Sequence, residues 1–196
     1  VEKISPPRMK PAKIIVISGV NGVGKTTLGF HLSQKLGIKQ RVSLGTIVKT
    51  LLAFSDEIKQ LELEKFDNHF MEVPNRDSFR LQCQIVSKAV NFIVNKYNKQ
   101  GVDCIIEGVQ LLRQYLKLPE GAVHVHLAVA DHNKFRQQLD NSDTRDRTVN
   151  NLEFANLLAL DLILRDEMSG NGVKILANSG TVADLVNKTM RYLRGS

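Results

Sequence analysis

The residues best equipped for chemistry lie near the start of the chain, where Gly19-Val-Asn-Gly-Val-Gly24-Lys25-Thr26 spells G-x-x-x-x-G-K-[ST] without a gap. The spacing has a physical reading. Glycines let the backbone curl tightly enough for successive N–H groups to point inward at phosphate oxygens. A helix opening at the lysine adds the positive end of its dipole to the same anion. The lysine side chain reaches the β- and γ-phosphates of a nucleoside triphosphate, and the threonine hydroxyl is a ligand for Mg2+. The expected nucleotide-binding set is therefore Gly19, Asn21, Gly22, Val23, Gly24, Lys25, Thr26 and Thr27. The flanks agree. Lys13-Ile-Ile-Val-Ile-Ser18 is a β-branched run suited to a buried parallel strand, and Leu28, Leu32 and Leu36 recur at helical spacing until Gly37. A chance glycine turn would lack that context.

Three further groups carry chemistry. Glu107 ends the apolar run Val102-Asp-Cys-Ile-Ile106, which puts a carboxylate where a strand meets the crevice beside the phosphate loop. There it can hold the water shell of Mg2+ or accept the proton of an attacking hydroxyl, and it is assigned both a catalytic and a metal role; the plainer alternative is a charge capping a strand. The segment Asp140-Asn-Ser-Asp-Thr-Arg145-Asp-Arg147 is polar and turn-rich between two helical patterns. It suits a lid over residues 140–148 that lowers Arg145 and Arg147 onto a transferring phosphoryl group, with Arg136 on the preceding helix facing substrate. A solvated loop with internal ion pairs explains any one of these arginines as well. Thr46 and Lys49 lie one helical turn apart after the second strand and could address an acceptor; a helix start capped by Thr46 is the competing account.

These groups need elements to position them. Strands are expected at 13–18, 41–44, 102–106, 123–129 and 173–177. Helices alternate with them, starting from Lys25 and spanning about 46–54, 76–98, 131–139, 150–168 and 182–193. The third helix carries the apolar stripe Phe79, Cys83, Val86, Val90, Ile93 and Tyr97. Strands alternating with helices call for a five-stranded parallel sheet with helices on both faces, a three-layer α/β sandwich of the P-loop NTPase kind with a small arginine-bearing lid. Residues 1–12 read as an extended leader and 13–196 as one domain, in which 55–75 is polar and mixed, a candidate substrate cap.

Composition narrows the class. With 196 residues, 42% hydrophobic and 24% charged, the chain has the balance of one soluble globular domain. No apolar run is long enough to span a bilayer, so no membrane partner is expected. The first residues lack a charged start, apolar stretch and cleavage site, and the two cysteines, Cys83 and Cys104, sit in apolar patterns; the expected compartment is the cytoplasm. A net charge of +7 fits either phosphorylated small substrates or nucleic acid. Apart from a group between Lys134 and Arg147 the basic residues are spread along the chain, and no aromatic–basic alternation is present, which puts nucleic acid second. A switch GTPase is excluded more directly: no Asp-x-x-Gly follows the loop, and Asn95-Lys-Tyr-Asn98 lies inside a helical stripe.

With these positions in hand, the chain resembles the archaeal-type 2-phosphoglycerate kinase family of P-loop kinases. The likeness runs from the phosphate loop nearly to the C-terminus. Ile105-Ile-Glu-Gly-Val-Gln110 is similar to that family's Ile-Ile-Glu-Gly-Val-His, and the helix before it, with Gln84 and Val90, matches in length and position. Asp131-His132 to Phe135-Arg136, Leu164-Arg165 and Ile175-Leu-Ala-Asn178 also have counterparts. Two departures fall on the acceptor side: Ser43-Leu44-Gly45 stands where the family carries Ser-Thr-Asp, and Gln110 replaces its His. The first stretch reads equally well as the Ser-Thr-Gly-Asp-x-x-Arg of nucleoside monophosphate kinases, with Thr46 and Lys49 in the last polar places. The resemblance implies ATP, Mg2+ and transfer of a phosphoryl group to a small, phosphorylated metabolite. A polynucleotide or nucleoside kinase and a non-enzymatic nucleotide-dependent switch are the alternatives. The oligomeric state is open.

Overall fold

The computed structural model describes residues 11–54, 75–141 and 149–195. The expected cap and lid fall largely outside these, including Arg145 and Arg147, as does most of the leader.

Strand β1 (Ile14–Ser18) is buried along its whole length, as its unbroken β-branched run requires. Helix α1 (Lys25–Leu36) follows and stops at Gly37, whose N–H returns to the Ser33 carbonyl. Strand β2 (Gln40–Ser43) is a largely exposed edge, and α2 (Leu44–Phe54) starts at the very next residue. Helix α3 (Arg76–Gln100) opens with the Asn75 side chain accepting from the Asp77 N–H and closes at Gly101. Strand β3 (Cys104–Gly108) leads through a short 3-10 turn at Arg113–Tyr115 to β4 (Val123–Val129). Helix α4 (His132–Asp140) is capped by Asp131, and α5 (Asn151–Met168) opens on a capping box of Asn150 and Glu153. Strand β5 (Lys174–Asn178) and α6 (Val182–Arg194), with a second capping box from Thr181 and Asp184, complete the order.

The five strands are all parallel and run β2-β3-β1-β4-β5 across the sheet. Strand β1 is central, and the chain turns to one side of it after α1 and to the other after β3. That reversal opens a crevice at the carboxyl ends of β1, β3 and β4, where the phosphate loop begins. Side chains alternate between two cores. Ile15, Ile17, Ile105 and Val125 join Leu28 and Leu32 of α1 and Leu185 of α6, whereas Ile14, Val16, Cys104 and Ile106 join Val48 of α2 and Val86 and Val90 of α3.

Two expectations shift. Strand β3 starts at Cys104, and it includes Glu107 and Gly108 rather than ending before them. The residue ahead of it, Asp103, instead accepts a hydrogen bond from the Lys13 N–H at 2.7 Å and trims the start of the pairing. On α3 the buried stripe runs Phe79, Cys83, Val86, Val90 and Val94, leaving Ile93 and Tyr97 partly exposed. A strict alternation of three and four residues averages below the roughly 3.6 per turn of a straight helix, so over a long helix it drifts off the buried face. No described helix is long and apolar enough to cross a membrane.

Candidate active site

The phosphate loop bridges β1 and α1 with positive φ at Gly19, Gly22 and Gly24. Gly19 is also a close approach: a Cβ there would lie 2.6 Å from the Leu127 carbonyl oxygen of β4. The Lys25 ammonium is folded over the loop and donates to the Val20 carbonyl at 2.8 Å. From the other side, Asn178 at the end of β5 donates its side-chain amide to the Val23 carbonyl at 2.7 Å, bracing the loop against the sheet. Thr26 and Thr27 occupy the first turn of α1 with exposed side chains.

Glu107 pairs in register with Ile17 and Ser43 and faces α1, where Gly29 leaves room beside its carboxylate. The structure brings it to Thr26 and Lys25. Burial pushes its carboxyl above the usual range, while a hydrogen bond from the Thr26 side chain, then the charges of Lys25 and Arg41, pull it back. One oxygen, Oε2, is buried with no partner. A partly satisfied carboxylate touching a phosphate-loop threonine is a fitting donor set for a hard divalent cation, so Thr26 and Glu107 are the residues that would hold Mg2+.

Gly108 follows directly, and its lack of a side chain is used. A Cβ there would fall 2.4 Å from the Cβ of Leu44, so this glycine lets α2 close on β3. Thr46 and Lys49 are both exposed on α2. Because α2 begins at Leu44, Thr46 lies inside its first turn rather than at the cap position. Arg136 is engaged structurally. It pairs with Asp140 at 3.2 Å and stacks over the Phe154 ring at 5.3 Å, tying α4 to α5.

Sequence reasoning passed over three features. Ser18 at the end of β1 hydrogen-bonds both His124 and His126 of β4, at 2.9 and 3.0 Å. Asp161 and Arg165, spaced like an ordinary exposed helical pair, instead dock α5 on the end of β4. The buried Asp161 carboxylate accepts the Val129 N–H at 3.2 Å, and Arg165 donates to the Val129 carbonyl. Arg80 grips the buried Glu167 at 2.8 Å while Arg76 meets Asp166 at 2.5 Å, clamping the start of α3 to the end of α5. Alternating histidines in an apolar strand were the one available signal for the first; nothing local marked the other two.

No family model matches the chain. It shares 26% identity over 141 residues with 2-phosphoglycerate kinase of Pyrococcus furiosus, a match covering 68% of this chain and 46% of that protein. The corresponding protein of Methanothermobacter thermautotrophicus is 26% identical over 138 residues, 63% of this chain and 45% of the relative. The chain thus spans less than half the length of these curated relatives. Among solved structures, a gluconokinase from Sinorhizobium meliloti 1021 superposes with a TM-score of 0.62 at 16% identity, covering 95% of this chain and 94% of that one. Shikimate kinase from Acinetobacter baumannii, in complex with shikimate, gives 0.55 at 19% identity over 94% of both chains. The fold is that of the P-loop kinases.

Proposed function

We propose that this chain is the catalytic domain of an ATP- and Mg2+-dependent kinase that phosphorylates a small, already phosphorylated hydroxy acid of the 2-phosphoglycerate type. One observation carries the reading: a buried carboxylate with a free oxygen, Glu107, set against the threonine and lysine of a phosphate loop. The names of the curated relatives supply the acceptor class.

In this mechanism Lys25 leaves the Val20 carbonyl and turns to the β- and γ-phosphates, where its charge meets the charge that develops in transfer. The glycine N–H groups and the start of α1 cradle the remaining oxygens. Thr26 and Glu107 would hold Mg2+, which when bound would supply neutralisation of phosphate charge. The unpartnered oxygen of Glu107 would orient the attacking hydroxyl, or a water of the metal's shell. Thr46 and Lys49 would address the acceptor from α2 and Arg136 from α4, and Arg145 and Arg147, which lie outside the described residues, would neutralise charge in the transition state. Positioning and electrostatics do most of the work, since phosphoryl transfer needs little covalent help.

The test is ATP turnover against a panel of phosphorylated hydroxy acids, with 2-phosphoglycerate first, and nucleotides and oligonucleotides as comparison acceptors. Transfer to the hydroxy acid that is lost in Lys25→Ala and Glu107→Gln supports the reading. Transfer only to a nucleotide or a polynucleotide end moves the assignment to those kinases, and ATP binding without any acceptor moves it to a switch.

A further inference from the structure

Because the strands are parallel, their amino ends share one edge of the sheet, opposite the crevice, and α1 and α6 both end there. On this edge Lys39, Lys13 and Lys174 stand at the starts of β2, β1 and β5. Alternation puts Lys13 on the face of Ile15 and Ile17, and Lys174 on that of Leu176, the face covered by α1 and α6. Lys39 continues the alternation of Arg41, whose guanidinium lies over the Phe30 ring of α1 at 5.5 Å. The last turn of α1 adds Lys35 to the same side, and the last turn of α6 adds Arg191 and Arg194. All six cations are exposed.

The strand order sets their spacing. Lys39, Lys13 and Lys174 occur at alternate strands, about 10 Å from one to the next, so the row is about 20 Å long. Carboxylates are scarce along it. Helix α1 has none, and α6 has Asp184 in its first turn, at the far end of the helix. Asp103 lies between Lys39 and Lys13, and its Oδ1 is taken by the Lys13 N–H at 2.7 Å. Two of the cations are held by neutral partners: Lys35 donates to Asn187 Oδ1 at 3.3 Å, and Lys174 lies over the Tyr192 ring at 5.8 Å. Such anchors place a side chain without cancelling its charge. Helix dipoles account for Lys35, Arg191 and Arg194, which sit in last turns. Strands have only small net dipoles, so Lys13, Lys39 and Lys174 have no equivalent structural demand.

We propose that this row is a docking surface for the phosphate backbone of a single-stranded nucleic acid, bound through charge and without base readout. It lies at the opposite end of the sheet from the phosphate loop, so it stands or falls independently of the kinase reading. A narrow row of cations matches a linear polyanion. A lipid surface would call for a broad charged field with apolar side chains to insert. At about 3.4 Å per residue, a stacked strand lays about six phosphates along 20 Å, enough to meet the three strand lysines and the cations of the two helix ends. Lysine meets each phosphate as a point charge, which favours attraction that is sensitive to salt and indifferent to sequence.

The test is fluorescence anisotropy with a labelled single strand of about 20 nucleotides, both ends blocked so that phosphoryl transfer cannot contribute. The wild type should bind at about 50 mM salt, and log affinity should fall against log salt with a slope of roughly −2 to −4, about −0.7 for each phosphate met. A triple variant, Lys13→Gln, Lys39→Gln and Lys174→Gln, should bind about tenfold more weakly or worse and flatten the slope by about 2. A second triple, Lys96→Gln, Lys99→Gln and Lys117→Gln, removes the same charge on the side of α3, where the Lys117 N–H meets Asn91. It should stay within about threefold of wild type, since it leaves the row intact. Matched melting temperatures establish that both variants are folded, and the wild-type salt slope is read without either. No binding by the wild type at about 50 mM salt overturns the proposal. Equal loss in the two triples also overturns it, because the attraction then belongs to net charge rather than to the row. Capture by phosphatidylserine vesicles without affinity for the strand overturns it in favour of a membrane.

Discussion

Glu107 is held where ionisation works against the fold. Its carboxyl is raised by burial despite Thr26, Lys25 and Arg41, so the native state binds its proton more tightly than the unfolded chain does. Stability from this group is therefore present below the unfolded value and is lost as pH rises through the folded one. Glu107→Gln should raise the melting temperature at pH 7, the gain should vanish near pH 4, and phosphoryl transfer should be lost in the same variant. Thermal melts at the two pH values check the sign, and an unchanged or lower melting temperature at pH 7 counts against the desolvated site. Lys25→Ala removes a charge that strengthens on transfer. It should lower kcat about 10²–10³-fold, the range for losing one preorganised donor to a developing anion, with a smaller effect on melting temperature.

Elements here are joined by a few buried polar contacts rather than by apolar area alone. The Asp161–Arg165 pair reads both backbone groups of Val129 and so fixes α5 to the end of β4, beside the phosphate loop. Asp161→Ala leaves the Arg165 Nε and the Val129 N–H without their acceptor, while Arg165 keeps the Val129 carbonyl. The expected cost is about 2–3 kcal/mol in denaturant melts, below a fully buried pair because Arg165 keeps access to water. The α2–β3 junction fails differently. Gly108→Ala forces a carbon into the space of Leu44 and should cost about 1–3 kcal/mol by overpacking, while raising KM for the acceptor, since Thr46 and Lys49 ride on α2.

For the molecule as a whole, pH couples to the fold through its buried histidines. His124 and His126 titrate near 3 and 4 in the native state and near 6.5 once unfolded. Their depressed values give stability that is complete above the unfolded value and is lost as pH falls. Each should contribute a slope of about 1.4 kcal/mol per pH unit below about pH 6, where histidines but few carboxylates change charge. Denaturant titrations at about pH 6 and 5.5 should show a shallower slope in His124→Asn. The same sheet places every group in question. Strand β1 carries the phosphate loop and Ser18, β3 carries Glu107, and β4 carries the histidines, at the reversal of a five-stranded parallel sheet.

What the sequence determined by itself is local. Gly19 to Thr26 is a contiguous motif whose backbone conformation depends on its own residues, and the β-branched runs and helix stops at Gly37 and Gly101 are equally short-range. The sheet and its helices were legible for that reason, with errors at β3 and along α3 where pairing and helical drift, not propensity, set the limits. Glu107 was legible as a carboxylate at a strand end, but only the β1–β3 register brings it to Thr26 and Lys25. Likewise the β1–β4 register makes Ser18 the partner of two histidines, the docking of α5 turns Asp161 from a surface charge into a buried acceptor, and β5 delivers Asn178 to Val23. Such contacts join residues far apart in the chain. Their geometry follows from strand order and register, which a single strand's residues do not encode, because each strand is compatible with several neighbours until the whole sheet is assembled.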